Sequence, residues 1–267
     1  MCTERTPRVS AARGLLRRRD RERSGRFLVE GAQAVREALA FGSVRELFLT
    51  ERAAARHPDL LGAAGSQVSM VTERAAAGLS ETATPQGIVA VCATLGLSAQ
   101  DALRDTRLVA ILAGVSDPGN AGTVTRVADA AGAGAVLFAG DGVDPHNGKC
   151  VRASTGSLFH VALGVEPDPL HAVTACRVAG LRVLAADAGT GRDLDDVIDG
   201  GELSAPTAWL FGSEAHGLDP ALLAAADGAV AIPLHGRAES LNLATAAAVC
   251  LYASARAHRR PGAEPIT

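Results

Sequence analysis

Three separated segments in the C-terminal two-thirds of the chain combine small polar side chains with glycine and proline turns. They are DPGNAGTVTRVADAAG (residues 117–132), LFGSEAHGLDP (210–220) and IPLHGRAESLNLATAAAV (232–249). Each sets these residues against an apolar strand or helix, which is the layout expected where the backbone must approach a ligand closely. The three segments therefore predict a ligand-binding site.

The first segment contains Asn120 and Arg126 as its candidates for chemistry. Asn120 lies where a predicted strand gives way to a helix, and Arg126 follows six residues later, within the first two turns. Both could therefore face a ligand at the helix N-terminus. Taken alone, the segment favours ordinary roles, a helix cap for Asn120 and a surface charge for Arg126.

The second segment ends a strand on Gly212 and turns back on Gly217. Glu214, between the two glycines, could accept hydrogen bonds that hold the loop in shape. Ser213 follows the first glycine directly, so the turn is not the nucleophile elbow of a hydrolase. A glycine-rich turn after a buried strand explains the glycines of this segment but not its other residues.

The third segment runs from a strand end through a polar loop into an alanine-rich helix. Ser240 is the predicted N-cap of that helix, and an apolar pair, Leu241 and Leu243, brackets Asn242. His235, a lone histidine in the loop, is expected to be solvated.

Charge is unevenly distributed along the chain. Residues 5–26 hold nine arginines against Asp20 and Glu22, a net charge of +7, so the other residues carry −10 of the overall −3. A basic arm on an acidic body predicts contact with a polyanion such as RNA, because arginine pairs with phosphate and stacks on bases. A solvated helix end is the alternative that charge alone leaves open. The candidate RNA contacts are Arg17, Arg18, Arg19, Arg23 and Arg26 in the arm, with Lys149 and Arg152 further along.

The elements that must position these residues divide near residues 95–106. Before the break, short strand and helix patterns alternate and predict a small α/β unit. After it, apolar strands alternate with helices in the rhythm of a parallel sheet. The first part has predicted strands at 27–31, 44–50, 67–71 and 87–92 with a helix at 32–40; the second has strands at 108–115, 135–140, 181–187, 207–212 and 229–234 with helices near 120–132, 169–179 and 241–258.

Composition excludes several classes of protein. The 267 residues are 48% apolar, yet no apolar run reaches the roughly 18 residues of a membrane-spanning helix. The arginine-rich N-terminus lacks the apolar stretch of a secretory signal, which predicts a cytoplasmic protein. The five cysteines are scattered without a CxxC pair, so we expect reduced, mostly buried thiols and no metal site.

Together the three segments resemble the motifs of the SpoU, or TrmH-like, RNA ribose 2′-O-methyltransferases of the SPOUT superfamily. The phrases FLVEG (27–31) and TPQGIVA (84–90) look like the ends of the ribosomal-protein-like substrate-binding domain of many such enzymes. The resemblance implies an α/β fold with an N-terminal RNA substrate-binding domain at residues 1–100 and a catalytic domain at residues 101–267. The catalytic domain is expected to have a Rossmann-like parallel sheet with a deep trefoil knot, in which roughly residues 207–258 thread through a loop.

The resemblance also assigns roles to single residues. In the family, positions matching Asn120, Arg126, Ser240 and Asn242 lie in the active site, Arg126 as the catalytic arginine, and Glu214 matches the acidic position. The implied contacts with S-adenosylmethionine are Leu210, Phe211, Gly212, Gly217, Ile232, Pro233, Leu241 and Leu243.

The chain departs from the family pattern at two places. Gly148 stands where many relatives have a proline, and Asp187 and Ala188 stand where the family often has a threonine near the cofactor. The first departure is expected to loosen one turn and to leave the chemistry untouched. The second leaves the cofactor contacts of residues 185–191 undefined.

The resemblance predicts a homodimeric, S-adenosylmethionine-dependent RNA ribose 2′-O-methyltransferase that acts on ribosomal RNA of the 23S type. A substrate phosphate is expected to position Arg126, while Asn120, Ser240 and Asn242 orient the hydroxyl. The alternatives are a transfer RNA substrate, a catalytically silent RNA-binding module, and a nucleotide-dependent oxidoreductase. The silent module is disfavoured because the sequence has the family's residues at all of the active-site positions. The oxidoreductase is disfavoured because no GxGxxG follows the relevant strand.

Overall fold

The computed structural model describes residues 1–189 and 191–259. The strands are β1 (Arg26–Glu30), β2 (Val44–Leu49), β3 (Val68–Met70), β4 (Ile88–Ala93), β5 (Leu108–Ala113), β6 (Ala135–Ala139), β7 (Ala162–Glu166), β8 (Arg182–Ala186), β9 (Arg192–Asp193), β10 (Thr207–Phe211) and β11 (Gly228–Ala231). The α-helices are α1 (Pro7–Gly14), α2 (Arg18–Ser24), α3 (Ala32–Phe41), α4 (Glu51–Arg56), α5 (Pro58–Ala64), α6 (Glu73–Ala77), α7 (Ala99–Ala102), α8 (Pro118–Ala131), α9 (Gly148–Ser154), α10 (Pro169–Val178), α11 (Leu194–Asp199), α12 (Pro220–Ala225) and α13 (Leu243–His258).

The chain groups into two compact units. Residues 1–95 and 144–160 form the first, and residues 96–143 and the described residues from 161 onward form the second. The domains implied by the resemblance, residues 1–100 and 101–267, did not include residues 144–160 in the first unit, with which the structure groups them.

The first unit is built on a four-stranded sheet with the order β1-β4-β2-β3. β4 is antiparallel to β1 and β2, while β3 is parallel to β2. The backbone N–H of Cys2 donates to Met70, and the carbonyl oxygen of Cys2 accepts from Thr72. The N-terminal residues therefore cover the open edge of β3, which protects a strand that would otherwise present unpaired backbone groups.

A buried ion pair holds residues 144–160 in the first unit. Arg21 Nε and Nη2 lie 2.8 and 2.7 Å from Asp144 Oδ2. Arg21 Nη1 donates to the carbonyl oxygens of Leu15 and Leu16, at 2.9 and 3.0 Å. Arg21 is only 5% exposed. This arginine therefore fixes the fold, although the sequence places it in the middle of the basic arm.

His146 extends this ion pair to the end of β4. Its backbone N–H donates to Asp144 Oδ1, and its Nε2 accepts the backbone N–H of Leu95 at 3.0 Å. Its ring lies 4.6 Å from that of Phe27, centroid to centroid. Burial raises the pKa of Asp144, but hydrogen bonds from His146 and Arg21 outweigh it and hold the pKa well below its usual range.

The second unit contains a seven-stranded, wholly parallel sheet with the order β7-β6-β5-β10-β8-β11-β9. The central strands are buried on both faces, which explains their nearly continuous apolar sequences. Residues of α7, α10 and α12 join one apolar core on the sheet. α8 and α13 pack together against β5 and β10, where Trp209 Nε1 donates to Ser254 Oγ at 2.9 Å.

The edge strand β7 is an element that apolar periodicity did not predict. Its middle residue is Gly164, where a Cβ would lie 2.3 Å from Leu137 Cδ2 and 3.2 Å from Ala102 Cβ. Close packing requires glycine at this position, and glycine interrupts the strand pattern. The backbone of Leu97 bonds to Leu163 and Val165 and so covers this edge.

The strands that the sequence predicts are confirmed to within a few residues, as are the predicted helices at 32–40, 120–132 and 169–179. Four of the five cysteines are buried, as predicted, and burial raises the pKa of Cys92, Cys150, Cys176 and Cys250 to about 12. Across residues 1–189 and 191–259, no helix has the length and apolar character needed to cross a membrane.

Candidate active site

A cavity of about 530 Å³ lies at the carboxyl ends of β10, β8 and β11 in the second unit. This is the edge at which open parallel sheets bind ligands, and the volume falls in the usual range for small-molecule sites. The lining residues come from all three polar segments and from the loop after β8: Asn120, Ala186, Asp187, Ala188, Phe211, Gly212, Ser213, Glu214, Gly217, Val230, Ile232, Leu234, Ser240, Leu241, Asn242, Leu243 and Ala246.

The second segment forms a tight loop because of its two glycines. Ser213 and Gly217 exchange backbone hydrogen bonds of 3.0 and 2.9 Å. Gly217 has a φ of +67°, which glycine adopts without strain, and a Cβ on Gly212 would lie 2.2 Å from the carbonyl carbon of Gly217. The loop folds this closely only with glycine at both positions, and it brings its backbone to the cavity wall.

Glu214 ties the second segment to the first. Its Oε1 accepts from Asn120 Nδ2 at 3.0 Å and from the backbone N–H of Asp117 at 3.2 Å. Its Oε2 accepts from the backbone N–H and hydroxyl of Ser116, at 3.1 and 3.2 Å. Glu214 thus holds the loop in shape, as the sequence predicts.

The protonation state of Glu214 follows from these donors. Burial raises the pKa of the carboxyl, but the hydrogen bonds from Asn120, Ser116 and Asp117 outweigh it, and the pKa is lowered. The carboxylate stays ionised at neutral pH. It is therefore suited to positioning and not to taking up a proton near neutrality.

Asn120 and Asn242 connect the first segment to the third. Asn242 Nδ2 donates to Asn120 Oδ1 at 3.1 Å. Asn242 Oδ1 accepts the backbone N–H groups of Ala244 and Thr245, at 2.9 and 3.4 Å, and so caps α13. The prediction that Ser240 caps this helix is wrong, since the helix begins at Leu243. An unbroken chain of hydrogen bonds thus runs from Glu214 through Asn120 to Asn242.

Asn120 and Arg126 occupy different sides of α8. The helix begins at Pro118 after the N-cap Asp117, whose carboxylate accepts the backbone N–H of Asn120 at 2.8 Å. Arg126, six residues further along, lies about 240° around the helix and about 9 Å along its axis. Its side chain is exposed and does not line the cavity. Within one chain the structure therefore brings Asn120, Glu214, Ser240 and Asn242 together, and Arg126 lies apart from them.

Six of the eight predicted cofactor contacts line the cavity. They are Phe211, Gly212, Gly217, Ile232, Leu241 and Leu243. Of the other two, Leu210 is fully buried, paired with Ile111 and Ala185 in the neighbouring strands, and Pro233 is half-buried beside the lining residue Ile232.

Sequence patterns left out other lining residues, chiefly those after β8. Asp187 and Ala188 belong to the stretch in which the chain departs from the family pattern, and the structure places both at the cavity. The departure from the family pattern was therefore the one feature of the sequence that pointed to these two residues. Thr190, in the same stretch, lies outside the described residues.

The predicted RNA contacts of the arm lie in the first unit, on α2 and next to it. Arg17, Arg18, Arg19, Arg23 and Arg26 are all exposed. Two make surface ion pairs of 2.8 Å, Arg18 with Glu22 and Arg23 with Asp20. Such pairs contribute only about 0–1 kcal/mol, so a phosphate could displace them.

The two further candidates differ in their surroundings. Lys149 is exposed at the start of α9. Arg152 is half-buried, and its Nη1 lies 3.5 Å from Glu30 and 3.6 Å from Glu81. These two carboxylates bind Arg152 within the first unit.

No group of three or more His, Cys, Asp or Glu side chains in the described part of the chain could hold a metal ion. The fold and the cavity instead define an α/β protein that binds a small molecule at the carboxyl ends of a parallel sheet. The chain belongs to the SpoU rRNA methylase family, whose model matches residues 107–252. A second model, the MRM3-like substrate binding domain, matches residues 6–90.

Individual relatives match most of the chain. It is 36% identical over 236 residues to the 23S rRNA (guanosine(2553)-2′-O)-methyltransferase RlmP of Bacillus subtilis, which covers 88% of this chain and 90% of the relative. It is 33% identical to a 23S rRNA (uridine(2479)-2′-O)-methyltransferase of Streptomyces viridochromogenes, covering 95% and 91%. The crystal structure of the SpoU methyltransferase AviRb from that organism, in complex with AdoMet, has a TM-score of 0.79 and 31% identity, covering 94% of this chain and 98% of that one.

Proposed function

We propose that this protein transfers a methyl group from S-adenosylmethionine to a ribose 2′-oxygen of 23S-type ribosomal RNA. The observation that carries the proposal is the hydrogen-bonded chain Glu214–Asn120–Asn242, which unites the three motifs at one cavity. The relatives support the reaction and the substrate, because two that match most of the chain are named as 23S rRNA 2′-O-methyltransferases.

The cavity residues fit S-adenosylmethionine. Ile232, Leu234, Leu241 and Leu243 provide apolar surface for a flat base, and Asn120, Glu214, Ser240 and Asn242 provide polar groups in the same cavity. Phe211, Gly212, Ser213 and Gly217 also line the cavity and would hold the ligand at close range. When bound, S-adenosylmethionine supplies a methyl group that is already activated by the sulfonium.

The contribution of the protein is then mainly alignment, which is worth roughly 7–11 kcal/mol in favourable intramolecular cases. The side-chain amides of Asn120 and Asn242 are fixed by their mutual hydrogen bond and by Glu214 and the α13 backbone. Each side-chain amide has two N–H groups, and the hydrogen-bonded chain Glu214–Asn120–Asn242 uses one of them in each asparagine. We propose that these groups and Ser240 orient the ribose hydroxyl, while Arg126 carries the role implied by the family and is positioned by a substrate phosphate.

Transfer of labelled methyl from S-adenosylmethionine to unmodified 23S rRNA tests the proposal. We expect label in one alkali-resistant dinucleotide, as 2′-O-methylation blocks cleavage there, and no label in transfer RNA. Label in transfer RNA alone would support the transfer RNA alternative. RNA binding without any binding of S-adenosylmethionine would contradict the proposal and identify a silent RNA-binding module.

We propose that the protein is a homodimer formed through α8 and α13. Val249 and Tyr252, one turn apart on α13, are 38% and 52% exposed, and Arg126 is exposed on α8, the helix that packs against α13. Two copies meeting there would bury the apolar stripe and bring a second Arg126 close to the interface.

Val249→Glu is expected to convert the dimer to monomer, because it buries a charge in the proposed interface. Analytical ultracentrifugation measures the state. Val178→Glu on α10 is the matched control, since that valine is 84% exposed. A monomeric wild-type protein, or an unchanged dimer in Val249→Glu, would overturn this interface.

Three further expectations belong to the same proposal. We propose that residues 207–258 thread a trefoil knot, for which an experimental chain trace is the test.

We propose that Arg17, Arg18, Arg19, Arg23, Arg26, Lys149 and Arg152 contact RNA. Charge-neutral variants at the exposed sites should then flatten the salt dependence of RNA binding by about 0.7–0.9 in slope for each lost phosphate contact. We propose a cytoplasmic location, where cell fractionation should find the protein with ribosomal RNA.

A further inference from the structure

Arg152, one of the proposed RNA contacts, lies against two carboxylates of the first unit. Its Nη1 is 3.5 Å from Glu30 Oε2 and 3.6 Å from Glu81 Oε2. The two carboxylates differ in burial, because the side chain of Glu30 is 9% exposed and that of Glu81 is 44% exposed. Glu30 therefore belongs to the interior of the unit, while Glu81 approaches Arg152 from a position that solvent reaches.

Hydrogen bonds to Glu30 fix the turn that carries Glu81. Glu30 Oε1 accepts from Ser80 Oγ at 2.5 Å and from Thr82 Oγ1 at 2.9 Å. The backbone N–H of Thr82 donates to Ser80 Oγ at 3.0 Å. Both neighbours of Glu81 are thus anchored to a nearly buried carboxylate. The backbone of residues 80–82 is held beside Arg152, so only the side chain of Glu81 would have to move for its carboxylate to leave the guanidinium.

Glycine at residue 148 makes room for the carboxylate of Glu81. A Cβ at Gly148 would lie 2.5 Å from Glu81 Oε2 and 3.2 Å from Arg152 Nη1. Gly148 is the first residue of α9 and does not have a positive φ, so the helix backbone would accept a side chain there. Because Oε2 is the end of a flexible side chain, an added methyl group would push it away from Arg152 and leave the helix in place.

A carboxylate and an RNA phosphate make the same demand on this guanidinium. Arginine binds both through charge-assisted N–H donors, and two anions at one point repel each other. Exposed ion pairs are weak, so a phosphate of bound RNA can displace the exposed carboxylate of Glu81. It cannot displace Glu30 in the same way, because that carboxylate is nearly buried and accepts two hydroxyl groups.

We propose that Glu81 competes with an RNA phosphate for Arg152 and thereby limits the affinity of the protein for RNA. The inference rests on the proposed function, because it takes Arg152 as an RNA contact. It deepens that function by naming the group that RNA must displace there. Glu81 does so without lining the cavity.

Two substitutions remove the carboxylate from Arg152 in different ways. Glu81→Gln removes the charge, whereas Gly148→Ala keeps the charge and displaces it through the added methyl group. We expect each to tighten the binding of unmodified 23S rRNA by about 2- to 5-fold at one fixed salt concentration, since each removes one exposed ion pair. The double variant should bind no more tightly than the tighter single variant, because both substitutions act on the same contact. Filter binding measures these affinities.

Each substitution has a matched control in the first unit. Glu51→Gln removes an exposed carboxylate of α4 and so reproduces the change in net charge. Gly62→Ala adds a methyl group on α5 at a position where a Cβ would have nothing within 4 Å. Both controls should keep the wild-type affinity for the RNA.

Three results would overturn the inference. A gain in Glu51→Gln equal to that in Glu81→Gln would show that net charge alone sets the affinity. A gain in Glu81→Gln that Gly148→Ala does not share would separate the effect from the contact with Arg152. Unchanged RNA affinity in Glu81→Gln with a lowered Tm would make the contact purely structural. A wild-type protein that does not bind 23S rRNA would instead refute the proposed function itself.

Discussion

Asn120→Ala is expected to lower the rate of methyl transfer by about 10²–10³-fold, the usual effect of removing one preorganised hydrogen-bonding group from an active site. The substitution breaks two contacts at once, the donation to Glu214 and the acceptance from Asn242. The three motifs then lose their common link. Single-turnover kinetics with saturating RNA and cofactor measure the effect on the chemical step.

Thr123→Ala is the matched control for this prediction. Thr123 is exposed on the same helix, does not line the cavity, and its hydroxyl donates only to the carbonyl oxygen of Gly119. It should leave the rate within a factor of about two, since it removes a single exposed hydrogen bond remote from the site. A rate in Asn120→Ala equal to that of Thr123→Ala would remove Asn120 from the catalytic set, provided that both variants keep the wild-type Tm.

Arg21→Ala is expected to destabilise the first unit by about 3–5 kcal/mol, because it leaves the carboxylate of Asp144, whose side chain is only 13% exposed, without its charged partner. The loss also strips a donor from the carbonyl oxygens of Leu15 and Leu16. Arg23→Ala is the control, since Arg23 is 73% exposed in its pair with Asp20 and should cost under about 1 kcal/mol.

The measurement must report on the first unit, because the single tryptophan, Trp209, lies in the second. Hydrogen exchange followed by mass spectrometry on peptides from residues 15–30 and 144–160 does so. Both peptides should lose protection together in Arg21→Ala. Unchanged protection in residues 144–160 would show that the ion pair does not hold this segment.

The same ion pair gives the wild-type protein an acid sensitivity. The pKa of Asp144 is lower in the folded than in the unfolded state. Its contribution to stability is therefore fully present above the unfolded pKa of about 3.9 and is lost as the pH falls below that value toward the folded pKa. Arg21→Ala should show less of this loss, because the folded-state pKa is no longer held down by the guanidinium.

The sequence was sufficient to predict the central strands of the seven-stranded sheet and the tight turn between residues 212 and 217. The strands at the centre of the seven-stranded sheet are buried on both faces, and their apolar runs are visible without any structure. The glycines at residues 212 and 217 likewise predicted a tight turn. These features are local, so the residues that determine them are neighbours in the chain.

What the sequence did not reveal depends on contacts between distant residues. Serine and asparagine are both good N-caps, so only the structure shows that Asn242 and not Ser240 caps α13. Arg21 is indistinguishable from the other arginines of the arm until Asp144, 123 positions away, is placed beside it. The cavity position of Asp187 depends on β8 lying between β10 and β11, an order that does not follow the chain.

The return of residues 144–160 to the first unit limits how this protein can be taken apart. Val151 and Leu158, both nearly inaccessible to solvent, pack within the first unit. A cut between residues 100 and 101 would leave these side chains attached to a fragment that lacks their partners, and such a fragment would be prone to aggregate. A chimera that exchanges the first unit between relatives must therefore transplant residues 1–95 and 144–160 together, as one module encoded in two pieces.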